Sequence, residues 1–298
     1  MNQKIALDFG TDIELYIKRD DLNHPLISGN KLRKLKYNLI EASEKGFSKI
    51  VTFGGAFSNH ILATAAAGKE FGFETIGVIR GEELINQIDD NPTLREARNL
   101  GMKFYFISRE IYRNKDSEVF LKELEEKFGS FYLVPEGGTN ELAIKGCEEI
   151  LEEDDSSFDF VCCAVGTGGT ISGIINASKT NQKILGFPAL KGDFLYNDIR
   201  KFVHQNNWDL ILDYHFGGYG KIKPELITFL NKFYLETNVP LDPLYNGKMM
   251  FGIIDLIAKN YFPSGSKILA IHTGGLQGIK GVNKILKEKN KEIIIYED

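Results

Sequence analysis

The segment Phe158 to Val165 is apolar apart from Asp159 and runs straight into Gly166-Thr167-Gly168-Gly169-Thr170, behind which Ile171 opens a further apolar run. Because polar and apolar residues do not alternate along it, both faces of such a strand must be buried, as in the middle of a parallel sheet. Parallel neighbours need crossover connections, usually helical. This one segment therefore commits the chain to an α/β architecture with helices over the sheet faces.

The flanking sequence alternates as that architecture requires. Ile13 to Ile17 reads as a strand ending at Lys18-Arg19-Asp20-Asp21, and from Lys31 onward Leu32, Leu35, Leu39 and Ile40 recur at helical spacing until Gly46. Lys49 to Phe53, Thr75 to Ile79 and Lys103 to Ile107 read as strands separated by helices over 61–71 and 92–100, with a charged amphipathic helix over 116–128. A helix follows from about Glu141 to Glu152, and 154–157 breaks the pattern. Beyond the central strand come a helix over 171–178, Lys183 to Phe187, helices around 226–233 and 249–259, and a strand over 268–271. With no repeat and no Pro/Ser-rich linker, two closely interleaved domains are expected. The smaller is residues 36–147, inserted in a larger one made of 1–35 and 148–298.

Composition narrows the class of partner. The 36 basic and 41 acidic residues give a net charge of -5 with no basic block, which argues against nucleic acid. No apolar run approaches the ~18 residues of a membrane span and the N-terminus carries no signal-like stretch, so cytoplasmic residence is expected. Cys147, Cys162 and Cys163 have no metal-ligand spacing and read as buried thiols; no metal is expected.

Four local patterns can carry chemistry. In Ser28-Gly29-Asn30-Lys31-Leu32-Arg33-Lys34-Leu35 a glycine loop meets a helix start, and Lys31 and Lys34 share one helix face. A neighbouring cation and desolvation both favour the neutral amine that a Schiff-base lysine needs. The same spacing also fits two solvated lysines. Gly166 to Thr170, between a strand and a helix, offers backbone N–H groups and hydroxyls to a phosphate. It also invites a dinucleotide, although Ile171 stands where the third glycine of that fingerprint belongs. Gly54-Gly55-Ala56-Phe57-Ser58-Asn59-His60 is a strand-to-helix turn able to grip a carboxylate, or a plain helix cap. Leu269-Ala270-Ile271-His272-Thr273-Gly274-Gly275 is a buried strand opening onto a glycine pair. A nicotinamide dehydrogenase or nucleotide-binding regulatory module built on the Gly166 turn is the alternative from another class, and it leaves Lys31 idle.

Taken in order, these blocks resemble the pyridoxal-phosphate enzymes of the tryptophan synthase β-subunit fold, in the family of aminocyclopropane-carboxylate deaminase and D-cysteine desulfhydrase. The resemblance spans roughly residues 12–280 and implies a fold type II enzyme with two mostly parallel sheets flanked by helices, its cofactor in the cleft between domains. It implies that Lys31 bonds the cofactor aldehyde and later carries the α proton, and that Lys34 meets the phosphate with Gly166, Thr167, Gly168, Gly169 and Thr170. Asn59 then faces the phenolic oxygen of pyridoxal 5'-phosphate. Ser58, Asn59 and His60 hold the substrate carboxylate, with Ser58 assisting the chemistry, and Tyr219 and Tyr245 match the two active-site tyrosines of the family. A homodimer acting on a small amino acid is expected.

Two departures bear on the substrate. Asn246 follows the second tyrosine where the deaminases carry Glu, and Thr273 precedes the last glycine pair, as in the desulfhydrases. A hydroxyl facing the ring nitrogen leaves that nitrogen largely unprotonated and makes a weaker electron sink, which suits β-elimination better than opening a cyclopropane. The expected reaction is that of a D-cysteine desulfhydrase, giving pyruvate, ammonia and sulfide. Deamination of 1-aminocyclopropane-1-carboxylate or of another small amino acid is the alternative. The segment Glu82 to Asn86, in a region short for the family, bears on the entrance to the site.

Overall fold

Hydrogen bonding sorts the strands of the computed structural model, which describes residues 1–296, into two sheets. The chain opens with β1 (Asn2–Lys4), β2 (Glu14–Lys18) and α1 (Asn30–Glu44). It then runs through β3 (Lys49–Gly54), α2 (Asn59–Phe71), β4 (Glu74–Arg80), α3 (Pro92–Asn99) and β5 (Lys103–Ile107). Two helices follow, α4 (Arg109–Arg113) and α5 (Glu118–Phe128), before β6 (Tyr132–Val134) and α6 (Glu141–Glu148). The remainder is β7 (Phe160–Val165), α7 (Gly169–Ala177), β8 (Lys183–Pro188), α8 (Leu195–Arg200), β9 (Trp208–Leu210), α9 (Pro224–Thr237), α10 (Asn246–Ala258), β10 (Lys267–Ile271) and α11 (Gly278–Glu288).

The strands β5-β4-β3-β6 form one wholly parallel sheet. The order β1-β2-β10-β7-β8-β9 forms the other, parallel except where β1 runs against β2. The α/β class with two mostly parallel sheets is therefore as expected.

The central strand explains itself residue by residue. Along β7 successive side chains alternate between two cores. Cys162 and Ala164 join Leu230, Met249 and Ile253 of α9 and α10, whereas Val161, Cys163 and Val165 join Ile171, Ile174 and Ile199 of α7 and α8. The adjacent cysteines thus face opposite layers, and all three thiols are free, buried and pushed upward chiefly by that burial. In the smaller sheet β3 does the same, with Ile50 packing on Leu35, Leu39 and Ala63 while Val51 and Phe53 pack on Tyr112, Phe120 and Leu124.

Two glycines draw the helices that frame the site together. A side chain at Gly146 of α6 would overlap the Arg33 carbonyl of α1, and one at Gly173 of α7 would meet Cys147 and the Ile144 carbonyl. Helices α1, α6 and α7 can therefore stack at backbone contact, which places the first turns of α1 and α7 side by side.

Some expectations need correction. The helix expected to reach Glu152 stops at Glu148. Beyond it the buried Lys18 ammonium pulls in Glu152 and Asp155, at 2.8 and 2.7 Å, and these side chains are held in a separate helical turn. The three-residue strands β1, β6 and β9 are too short to show a period, and α4, α8 and α11 also went unassigned in the sequence.

Candidate active site

In each sheet the strand order reverses once, and the two reversals face each other. In the larger sheet β8 and β9 lie on one side of β7 and β10 on the other; in the smaller, β4 and β5 lie on one side of β3 and β6 on the other. Open parallel sheets leave a crevice at such a point, beyond the carboxyl ends of the strands. Gly166 to Gly168 and Thr170 after β7, Thr273 to Gly275 after β10, Ser58 to His60 after β3 and Gly137 after β6 line one cavity, together with Lys31, Lys34, Tyr219 and Tyr245. The blocks picked out in the sequence thus meet in one place.

Lys31 and Lys34 sit in the first turn of α1. The Lys31 amine donates to Asn30 Oδ1 at 3.1 Å. Burial beneath the surrounding protein, and then the Lys34 charge, lower its pKa from 10.5 to about 7. A substantial share of the amine is therefore neutral at neutral pH. Lys34 is 2% exposed, and its ammonium donates to the Gly137 carbonyl at 2.9 Å, Thr139 Oγ1 at 3.0 Å and Thr167 Oγ1 at 3.4 Å.

That ammonium overlooks a glycine cradle. Gly168, at φ 86°, caps α7, and a Cβ at Gly169 would sit 2.8 Å from Thr139 Oγ1 and 3.1 Å from the Lys34 amine. One at Gly166 would press on the Tyr245 ring at 3.2 Å. A helix N-terminus, a buried cation, and hydroxyls from Thr139, Thr167 and Thr170 fit a phosphate, and the glycines keep its approach to the backbone clear. Ile171, the residue that broke the dinucleotide fingerprint, is 1% exposed and packs in the core beneath α7.

On the opposite wall Ser58 caps α2, accepting from Ile61 N at 3.4 Å, so the cap and the pocket lining are the same residue. Asn59 faces Gly275, where a Cβ would lie 2.8 Å from Asn59 Nδ2. The His60 ring is buried. Thr52 gives its one hydroxyl proton to the Val134 carbonyl, so His60 Nε2 must donate to Thr52 Oγ1 at 2.8 Å, and Nδ1 is left a bare acceptor. Burial and the two lysines push the His60 pKa well below its ordinary value, so the ring stays neutral. Of the three residues expected to hold a carboxylate, His60 thus has its Nε2 engaged by Thr52 although the residue lines the cavity in the first turn of α2.

Tyr219 and Tyr245, the two tyrosines singled out by the resemblance, lie with ring centroids 6.0 Å apart. Burial, and then Tyr219, hold the Tyr245 hydroxyl well above the usual tyrosine range. Thr273 lines the cavity beside a network that the sequence does not reveal. Asn246, fully buried, donates Nδ2 to Asp242 Oδ2 (2.5 Å) and to the Gly274 carbonyl (2.8 Å). Its Oδ1 accepts from Thr273 N (3.0 Å) and Thr273 Oγ1 (3.1 Å). Asp242 accepts from three backbone amides as well, those of Leu244, Tyr245 and Asn246, which offset the burial that raises its carboxyl. Asp242 and Asn246 therefore stand behind Thr273, and among the described residues no carboxylate lines the cavity.

Asn30, whose Nδ2 donates to Thr170 Oγ1 at 2.8 Å, and Thr139, whose Oγ1 lies 2.6 Å from Thr167 Oγ1, join the site without having been singled out. Asn30 was within reach, standing beside Lys31 in the quoted block. Thr139 had no local signal, since its partners are 28 residues and more away in sequence.

Comparison with known proteins agrees with this geometry. The chain is 33% identical over 291 residues to a putative 1-aminocyclopropane-1-carboxylate deaminase of Pyrococcus horikoshii, covering 92% of this chain and 87% of that protein. It is 35% identical over 297 residues to the mitochondrial bifunctional D-cysteine desulfhydrase/1-aminocyclopropane-1-carboxylate deaminase of Arabidopsis thaliana, covering 89% and 73%. A crystal structure of a homologue of 1-aminocyclopropane-1-carboxylate deaminase superposes with a TM-score of 0.83 at 29% identity, over 96% of this chain and 93% of the other. Residues 3–274, which carry Lys31, Lys34, Ser58 to His60, Gly166 to Thr170, Tyr219, Tyr245 and Thr273, match the pyridoxal-phosphate dependent enzymes, and the chain belongs to that family.

Proposed function

We propose that the protein is a lyase that removes the α proton of a small amino acid and eliminates its β substituent, with D-cysteine as substrate and with one water hydrolysing the eliminated product, so that pyruvate, ammonia and sulfide leave. Pyridoxal 5'-phosphate, when bound, supplies an aldehyde that condenses with an amine and a conjugated ring that accepts the electron pair left by the α proton. Everything else falls to the chain. Lys34, the Gly166–Thr170 turn and α7 would hold the phosphate, and Asn59 and Thr273 would stand on the sides of the phenolic oxygen and the ring nitrogen. Lys31, whose amine burial and the Lys34 charge favour as the neutral form, would hold the cofactor at its aldehyde and would be the base for the α proton. Ser58, Asn59 and the first turn of α2 receive the substrate carboxylate, while Tyr219 and Tyr245 flank its side chain.

The observation that carries elimination over ring opening is the wall formed by Thr273. A neutral hydroxyl backed by Asn246 stabilises a protonated ring nitrogen far less than a carboxylate does, so the reaction favoured is one with a good leaving group. Offered D-cysteine, D-serine, L-serine and aminocyclopropane-carboxylate, the protein is expected to turn over D-cysteine fastest and to release sulfide, ammonia and 2-oxo acid in equal amounts. Turnover of aminocyclopropane-carboxylate with none of D-cysteine overturns this reading in favour of the deaminase.

The amine of Lys31 also sets a pH dependence. With its pKa lowered to about 7, reconstitution with pyridoxal phosphate, followed by absorbance, accelerates as pH rises towards 7 and levels off above it. A rate still climbing tenfold per unit above pH 9 points instead to an ordinary lysine.

We further propose that residues 36–147 form a smaller domain inserted in a larger one of 1–35 and 148–298. The strands of the four-stranded sheet all fall between Lys49 and Val134, which supports this division. A homodimer in the cytoplasm is the proposed working form, to be checked by sedimentation mass and by fractionation. Among the described residues no helix is long and apolar enough to cross a membrane.

A further inference from the structure

Tyr219 reaches the cavity from a loop that no regular structure holds. The stretch 216–220 has positive φ at Phe216 (56°), Gly217 (98°), Gly218 (113°) and Gly220 (70°), and Tyr219 itself is 44% exposed. Such a loop has many alternatives, and its conformation must be set by what grips it from below. Two grips are visible. The Phe216 ring packs edge-on against Phe251 of α10, with centroids 5.0 Å apart. Lys248, in the first turn of α10 and 2% exposed, extends its amine to the carbonyls of His215 and Gly218, each at 3.0 Å. A buried amine is held where its acceptors are, so the two carbonyls flanking the Phe216-Gly217 turn are fixed relative to α10. Tyr245 is the residue that caps the same helix.

We infer that Lys248 is the positioning residue that holds Tyr219 opposite Tyr245, by fastening the inner side of the glycine loop to the start of α10. Both tyrosines are thereby referred to one helix end, and their 6.0 Å separation follows from it. Burial lowers the Lys248 pKa to about 8, which is compatible with this arrangement because a neutral amine still has the two hydrogens that two carbonyls require. The inference rests on the proposed part of Tyr219 in turnover, and the test separates the two.

In the holoenzyme, Lys248→Met is expected to speed backbone amide exchange about tenfold or more in residues 217–221 and to leave the rest of α10 protected. Turnover of the best substrate in the panel should fall by about 10- to 100-fold, as a misplaced active-site group produces, with the cofactor Kd by spectral titration unchanged within about twofold. In a Tyr219→Phe background the same substitution should add little further loss. Lys248→Gln, which keeps two N–H donors, should recover part of the activity. Unchanged exchange in 217–221 overturns the inference, and so do equal losses in both backgrounds when Tyr219→Phe itself lowers turnover. Should Lys248→Met not fold, Lys248→Ala, which also lacks the donors, is read by the same exchange measurement: acceleration confined to the loop supports the clamp, and acceleration absent or spread along α10 overturns it. A silent Tyr219→Phe removes the proposed role of that tyrosine and not the clamp, which the exchange arm reads separately.

Discussion

Lys31→Ala is expected to give a folded protein that binds pyridoxal phosphate without bonding it and has lost activity by roughly ten-thousand-fold, the scale of removing a general acid–base that is also the nucleophile. Borohydride should fix the cofactor to the parent chain and not to the variant. The fold should not suffer, because the substitution removes an amine whose burial already pushes it towards neutrality, so the thermal midpoint of the apoprotein is expected to stay level or rise. The competing candidate is Lys34, one turn along the same face. Its three hydrogens already point to Gly137, Thr139 and Thr167, which fits an anion-holding cation better than a nucleophile. Covalent trapping of the cofactor that persists in Lys31→Ala and vanishes in Lys34→Ala reverses the two roles.

Gly29→Ala is expected to be the most damaging small substitution near the site, at about 2–5 kcal/mol of stability. Gly29 adopts φ 65°, and a Cβ there would overlap the carbonyl of Thr273. The left-handed backbone costs about 1–2 kcal/mol for any L residue, and the overlap adds about 1–3 kcal/mol, since neither the Thr273 carbonyl nor the start of α1 can move freely. Asn30 N donates to that same carbonyl at 3.3 Å, so relief of the clash shifts Lys31 on one side or Thr273 on the other. Cofactor affinity should fall along with stability. Gly46→Ala is the control, because Gly46 has a similar φ of 74° with nothing within 4 Å of the added atom. It should cost only about 1–2 kcal/mol by denaturant midpoint and leave cofactor binding intact. Equal costs at the two glycines show that the Gly29–Thr273 contact is slack.

These two positions illustrate how the site is organised. The lysine helix and the glycine pair after β10 touch through Gly29, while Gly146 and Gly173 bring α1, α6 and α7 to backbone contact. The start of α7 and the helix turn that carries the lysines are therefore positioned by main chain against main chain, and such contacts tolerate no added carbon.

The amino-acid sequence by itself determined the α/β class, because a strand with no polar face can only be a buried parallel one, and it marked the chemical blocks wherever their parts are local. Lys31 and Lys34 lie one helical turn apart, Gly166 to Thr170 is contiguous, and Ser58 caps the helix it precedes. The tertiary structure decided which of these blocks share a cavity and what stands behind them. Thr139 reaches Lys34 across 105 residues, Asn246 reaches Thr273 across 27, and Lys248 reaches His215 across 33. It also turned the His60 ring inward to Thr52, a choice made by two strands and a helix packing together. Short-range periodicity reports which face of an element is buried, but hydrogen bonds between distant segments are selected only when the sheets stack and leave each buried polar atom to find whichever partner the packing brings within reach.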